Sequence, residues 1–303
     1  MSLFRLTVDK SEYAPGDVVN FVCWLNNKDP LQAIKLVADL SMSERFHIAG
    51  AAQGLANPDN LAEPPPVQFF NSTIIQSIPL WRTQNKKLGT EFTAQPRSFR
   101  AQFVVPIDAV PSVVLTDFFK AQIKYVIKVE LFLAAGRGKA LPAEIAFNVV
   151  RSMPLINPPL VMPGLPKDFT SFDVEASLGL EQSMYSIGQD IQLQIQISNA
   201  DKRGIKGIKV TLEEVRNGHF LAEHGRTNIL ASESIDCMIG TQQSKSFKVL
   251  LHPGNVTKFI APSTFSGCVQ VEHFIRIYII PNKIFTSGIM FSVPIEIVGA
   301  QRL

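Results

Sequence analysis

From Ile191 to Ile197 the chain alternates apolar and polar residues without a fault. Ile191, Leu193, Ile195 and Ile197 fall on one side, and Gln192, Gln194 and Gln196 on the other. A strand with one buried and one wet face requires this period of two, because successive side chains leave a pleated backbone in opposite directions. Tyr185 and Gly188 precede the run and Asn199 ends it. The same frame stands much earlier, with Tyr13, Gly16 and Asn27 at the matching positions and Val19, Phe21, Cys23 and Leu25 on the apolar face. Gly16 and Gly188 suit turns that need positive φ. An echo at about half the chain length is an internal repeat, and it predicts a duplicated β domain.

The echo extends beyond one strand. Turn-forming clusters, Asn26–Pro30 and Asn199–Gly204, lead to Ile34–Leu40 and Ile208–Glu213. Gln32–Leu40 also admits a helical reading, but its counterpart is β-branched and alternating. Phe99–Val105 closes in Pro106 with Pro111-Ser112 soon after, and Phe247–His252 closes in Pro253 with Pro262-Ser263 soon after. Alternating strands follow at Ile123–Leu131 and Val271–Ile279, and each half ends in one more, Ala143–Val150 and Gly288–Val298. Leu3–Val8 opens the chain as a strand, and Val67–Phe70 and Thr73–Ile78 read as two further strands. Residues 49–67 read as a long loop. Between the halves lie five prolines, Pro154, Pro158, Pro159, Pro163 and Pro166, which can sustain neither a ladder nor a helix. The expected organisation is an all-β chain of two tandem antiparallel, immunoglobulin-like β-sandwiches, residues 1–152 and 169–303, joined by a stiff linker over 153–168.

Composition sets the function classes. Of 303 residues, 46% are hydrophobic and 18% charged, enough for two cores and too little charge for disorder. A net charge of +3 gives no reason to expect nucleic acid as partner. Cys23, Cys237 and Cys268 are odd in number, and Cys23 falls on a core face without a partner in its half, which points to a reducing compartment. Pairing of Cys237 with Cys268 stays open. The N-terminus shows no basic stretch followed by an apolar run, and nothing approaches the ~20 apolar residues of a membrane-spanning helix, so an intracellular soluble protein is expected. The five histidines are scattered and the cysteines are far apart, so neither a metal site nor a cofactor is expected. No Gly-x-Ser-x-Gly elbow occurs, and Gly136-Arg-Gly138-Lys139 reads as a hairpin turn rather than a phosphate loop. An enzyme is not expected.

Three surface features remain as candidates for partner or anion binding. Lys120, Lys124 and Lys128 recur every four residues on one face of a strand, with Glu130 at the end. Lys202, Arg203, Lys206 and Lys209 surround a turn. Either group can meet a phosphopeptide or anionic lipid headgroups, or be an ordinary solvated face. Val22 and Trp24 stand where the second copy has Gln194 and Gln196. An apolar pair on an outward face is expected to be covered by the chain itself or by a partner. The sequons at Asn71 and Asn255 carry little weight without a leader.

These ordered motifs resemble the arrestin superfamily. The Tyr-x-x-Gly turn before a strand ending in Asn, the Ile-Lys strand after it, and the Phe-rich strand closing in Pro before Pro-Ser recur in both halves. Gly89-Thr-Glu-Phe92, Ile123-Lys-Tyr-Val-Ile-Lys-Val129 and Phe172-Asp-Val-Glu-Ala-Ser-Leu are similar to the family's pattern as well. The resemblance implies a two-lobe arrestin fold and a cytoplasmic adaptor, peripheral on plasma-membrane or endosomal surfaces. Such a protein binds cytoplasmic tails of membrane proteins in endocytosis, sorting or signal transduction. The α-arrestins recruit ubiquitin ligases through Pro-Pro-x-Tyr, whereas this chain has Pro64-Pro65-Pro66-Val67. The clathrin-binding tail of visual and β-arrestins is also missing before Leu303. A fixed subunit of a trafficking complex, like the arrestin-like retromer subunit, is the alternative, and a tandem-sandwich adhesion protein is a more remote one. Arg151 ends the first lobe where arrestins place a phosphate-sensing arginine. Residues 255–269 lack the Asp or Glu that would pair with it, which favours an exposed arginine at a domain end.

Overall fold

A computed structural model describes residues 4–48, 67–84, 89–93, 95–116, 119–134, 142–154, 157–165, 173–218, 225–253, 260–282 and 289–299. The expected loop over 49–66 and the hairpin turn at 136–139 lie outside them. The chain divides into two compact units, Met1–Arg151 and Ser152–Leu303.

The first unit holds β1 (Phe4–Val8), β2 (Glu12–Tyr13), β3 (Val18–Leu25), β4 (Leu31–Ile48), β5 (Val67–Arg82), β6 (Thr90–Phe92), β7 (Arg97–Val104), β8 (Val113–Leu115), β9 (Lys120–Leu133) and β10 (Ala143–Val149). The second holds β11 (Leu160–Met162), β12 (Val174–Leu180), β13 (Met184–Ser186), β14 (Ile191–Asn199), β15 (Ile205–Gly218), β16 (Arg226–Ile239), β17 (Gln243–Leu251), β18 (Thr264–Phe265), β19 (Val269–Pro281) and β20 (Ile289–Val298). Each unit is a sandwich of a small and a large sheet. The orders β1-β3-β7 and β2-β10-β9-β4-β5 in the first correspond to β12-β14-β17 and β13-β20-β19-β15-β16 in the second, with β11 added beside β12. The pairings are antiparallel except for β2 on β10 and β13 on β20, which are parallel in both copies.

The alternation packs as expected. Val19, Phe21, Cys23 and Leu25 are buried with Leu36, Leu40, Ile127 and Val129, and Ile191, Leu193, Ile195 and Ile197 with Val210, Leu212, Ile275 and Ile277. Each such side chain contributes ~1.5–3 kcal/mol relative to exposure.

The repeated landmarks have physical reasons. Gly16 and Gly188 adopt φ of 88° and 77°, which a side chain would strain. The strand-ending asparagines are clasps. Asn27 Nδ2 donates to the carbonyls of Asp29, Phe92 and Thr93 within 3.0 Å, and Asn199 Nδ2 donates to those of Arg203, Ile239 and Gly240 within 3.3 Å. The Pro-Ser serines pin the last strand: Ser112 Oγ accepts from Val149 N–H and Ser263 Oγ from Ile297 N–H, each at 2.9 Å.

Gln32–Leu40 is strand throughout, in line with its counterpart in the repeat. Other expectations change: β5 is one continuous strand where two were expected. Its Pro79 is accommodated because β5 is an edge and the missing N–H need not serve a ladder. The linker reading of 153–168 is corrected in part. Leu160–Met162 lies between prolines but keeps three backbone N–H groups, and it pairs with Leu178–Leu180 as an added edge strand. Asn157 Oδ1 accepts from Ser183 N, Ser183 Oγ and Met184 N, and its Nδ2 donates to Met184 O, which ties the segment to the second unit. Cys23, Cys237 and Cys268 form no disulfide with one another. Burial pushes the Cys23 thiol up to about 12.

Candidate partner-binding surface

The outward face of the small sheet differs between the two sandwiches. In the first, register sets Arg5, Trp24 and Ser98 in one row and Thr7, Val22 and Arg100 in the next. Trp24 is 40% exposed and Val22 half-buried, so the described residues leave this pair open. Val22 and Arg100 line an open depression of about 600 Å³ together with Asn20 and Gln102. β1, β3 and β7 carry no Asp or Glu, so Arg5 and Arg100 flank Trp24 and Val22 on this face, with the Asp9 carboxylate beyond them at Asn20. In the second sandwich the same rows read Ser177, Gln196 and Ser246, then Gly179, Gln194 and Lys248. That surface suits water.

The sheet edges differ too. On the β7 side, Gln76 of β5 reaches across. Its Nε2 donates to Val104 O at 2.9 Å and its Oε1 accepts from Val104 N at 3.3 Å, as a neighbouring strand would. On the other side β1 ends the sheet and, among the described residues, pairs only with β3. An extended peptide can add there, because an edge strand presents backbone donors and acceptors in a row.

The lysine stripe is shorter than its spacing suggests. Lys128 Nζ lies 2.9 Å from Glu130, with Asp39 and Glu144 across the neighbouring strands, and these carboxylates raise its pKa, Glu130 foremost. Lys120 and Lys124 stand on the same face at its opposite end. The turn group is likewise reduced. Arg203 folds onto Asp201, with Nε to Oδ1 and Nη2 to Oδ2 both at 2.8 Å, and is a turn brace rather than a free cation. Lys202 and Lys206 are exposed and Lys209 half-buried. Arg151 is exposed at the end of the first unit.

One polar cluster escaped the sequence reading. Glu214, wholly buried, takes Arg216 Nε at 2.6 Å, Asn228 Nδ2 at 3.2 Å and Ala261 N at 2.9 Å, and His273 Nε2 lies 3.5 Å from its Oε2. Burial opposes ionisation, yet His273, Arg216 and the Ala261 amide hold the carboxyl below its ordinary range. Ser263 Oγ is 3.0 Å from His273 Nδ1. A serine, a histidine and a glutamate thus form a chain, but the serine also caps β20 as Ser112 caps β10. The arrangement braces the fold. Only its spacing across three strands reveals it; each residue alone looked incidental. Among the described residues no group of three or more His, Cys, Asp or Glu is placed to hold a metal ion, and no helix is long and apolar enough to cross a membrane.

Residues 171–301 match the family model of the arrestin (or S-antigen) C-terminal domain. The match supports the arrestin superfamily. It covers most of the second sandwich, and the first sandwich repeats the same sheet orders and landmarks. No curated protein matches the chain. An arrestin domain is consistent with a trafficking or signalling adaptor, and arrestin-fold proteins act through protein partners rather than by catalysis.

Proposed function

We propose that the protein is a non-enzymatic cytoplasmic adaptor in membrane-protein trafficking, nearer to the α-arrestins and arrestin-like trafficking proteins than to tailed visual arrestins. It binds cytoplasmic segments of cargo through the first sandwich. The observation that carries this reading is Trp24 with Val22, exposed between Arg5 and Arg100, where the duplicate has Gln196 and Gln194 between Ser177 and Lys248. A half-exposed tryptophan flanked by guanidinium groups suits a partner interface, since aromatic and arginine side chains dominate binding energy. A peptide added along β1 would lie against the Arg5 and Thr7 side of this face.

Affinity purification of the full chain from its source cell, beside Trp24→Ser, tests the reading. Cargo recovered with the parent and lost from the variant supports it. Identical recovery from both overturns the assignment of the face. A constant set of stoichiometric subunits, lost from the variant, would instead favour a fixed trafficking-complex subunit, for which the same uncovered face serves as a permanent contact.

A further inference from the structure

The large sheet of the first sandwich has an outward face that divides by charge. At one end, Lys128 lies among Asp39, Glu130 and Glu144. At the other, this face carries Gln68, Phe70, Ser72 and Ile74 on β5, Ser41, Arg45 and His47 on β4, and Lys120, Gln122 and Lys124 on β9, with Ser43 and Val126 buried among them. None of them is acidic, and Glu44 between them points inward. Phe70 and Ile74 protrude, 62% and 61% exposed. Arg45 stacks over Phe70, its guanidinium carbon 5.2 Å from the ring centroid, so cation and aromatic project together.

We propose that this end of the face rests on an anionic bilayer surface, with Phe70 and Ile74 entering the headgroup region and Arg45, Lys120 and Lys124 meeting lipid phosphates. An anionic partner follows from the charge, since three cations share the patch without an acidic residue at any of its described outward positions. A bilayer rather than a peptide follows from the layout. A strand added to the β5 edge would meet Phe70, Ser72 and Ile74. It would leave Lys120 and Lys124 three strands away, about 14 Å at the usual strand spacing. Cations spread across a face, beside protruding apolar side chains, match an extended planar charge. The duplicate lacks the device. Register places Asn217, Glu272 and Cys268 where the first copy has Arg45, Lys124 and Lys120. The proposal rests on the adaptor reading only for the compartment in which a membrane is met.

The test is co-sedimentation of the full chain with phosphatidylcholine vesicles, with and without phosphatidylserine, at low and high salt. Binding to the anionic vesicles alone, weakened by salt, is expected. Arg45→Gln and Lys124→Gln should each lower the partition about fivefold, the worth of ~1 kcal/mol per surface cation. Phe70→Ser should lower it about tenfold or more. All three positions are solvent-facing, so unchanged melting will certify the fold. Equal binding to neutral vesicles would overturn the proposal as simple hydrophobic adsorption. Binding to an acidic peptide but not to vesicles would overturn it in favour of a peptide groove. A null vesicle result with Trp24-dependent cargo capture intact would remove this proposal and leave the adaptor reading standing.

Discussion

Glu44 and Glu214 lie on corresponding strands of the two sandwiches, the long inner strands β4 and β15, each opposite an edge-strand asparagine, Asn71 and Asn228. Both are buried, at 3% and 0% exposure, yet their surroundings differ. Glu214 is met by Arg216, His273, Asn228 and a backbone amide. Glu44 has Asn71 at 3.3 Å on one oxygen and no hydrogen-bond partner on the other. The neighbours differ: two residues along and directly across, Glu44 meets Phe46 and Ile123, whereas Glu214 meets Arg216 and His273. Duplication therefore preserved the backbone frame and let each copy distribute its polar groups separately, inside as well as on the surface. The second copy spends its polarity on an internal brace and a glutamine-covered face. The first leaves an under-satisfied carboxylate inside and carries tryptophan and arginine outside.

The largest effects should come from breaking the brace. Arg216→Ala leaves Glu214 buried without its closest cation, and unfolding of the second sandwich by denaturant should show a loss of ~3–5 kcal/mol. Glu44→Gln should change the first sandwich by less than about 1 kcal/mol, since little is bound to its carboxylate. Comparable losses from both would erase the distinction between the copies. The clasps come next. Asn27→Ala and Asn199→Ala each leave three carbonyls without their shared donor and should cost ~1–3 kcal/mol, similar in both units, if the frame is indeed common to them. Gly16→Ala and Gly188→Ala should each cost ~1–2 kcal/mol through positive φ, read as matched falls in melting temperature.

A smaller effect separates the copies by pH. Hydrogen bonds from the Asn20 and Tyr13 side chains hold the Asp9 carboxyl down at about 2. A depressed folded-state pKa stabilises above the unfolded value near 3.9 and ceases to do so as pH falls through about 2. The parent should therefore exceed Asp9→Asn in stability above about pH 4, and the two should converge near pH 2. A constant difference across that range would mean that the aspartate's charge contributes nothing.

Much of the fold was legible because alternation, glycine turns and the proline-closed strands are local signals. The tandem sandwiches, the core face of β3 and β14 and the positive φ at both glycines could all be read from them. β16 was missed. Its alternation changes phase, with Leu230 inward on one parity and Ile235, Cys237 and Ile239 on the other, because it is an edge strand with a bulge opposite Leu212. The strand inside the linker was missed because prolines on either side obscured Leu160–Met162. Of the candidate site, Val22 and Trp24 were visible as a break in an otherwise polar face. The patch of Arg45, Phe70, Ile74 and Lys124 was not, since it spans three strands whose register no local pattern records. The same holds for Glu214, Arg216 and His273. Lys128 and Arg203 looked available in the sequence because their neutralising carboxylates, across strands or two residues back, could not be weighed.

The smallest expected change in stability accompanies the most direct functional test. Trp24→Ser, at a half-exposed site, should alter stability by no more than about 0.5 kcal/mol. A photo-crosslinking residue placed in turn at position 24 and at position 196, its counterpart, should then be compared in the source cell with the full chain. The account predicts that one membrane-protein or trafficking partner is crosslinked from position 24 and not from position 196. Equal crosslinking from both positions, or from position 196 alone, would contradict it.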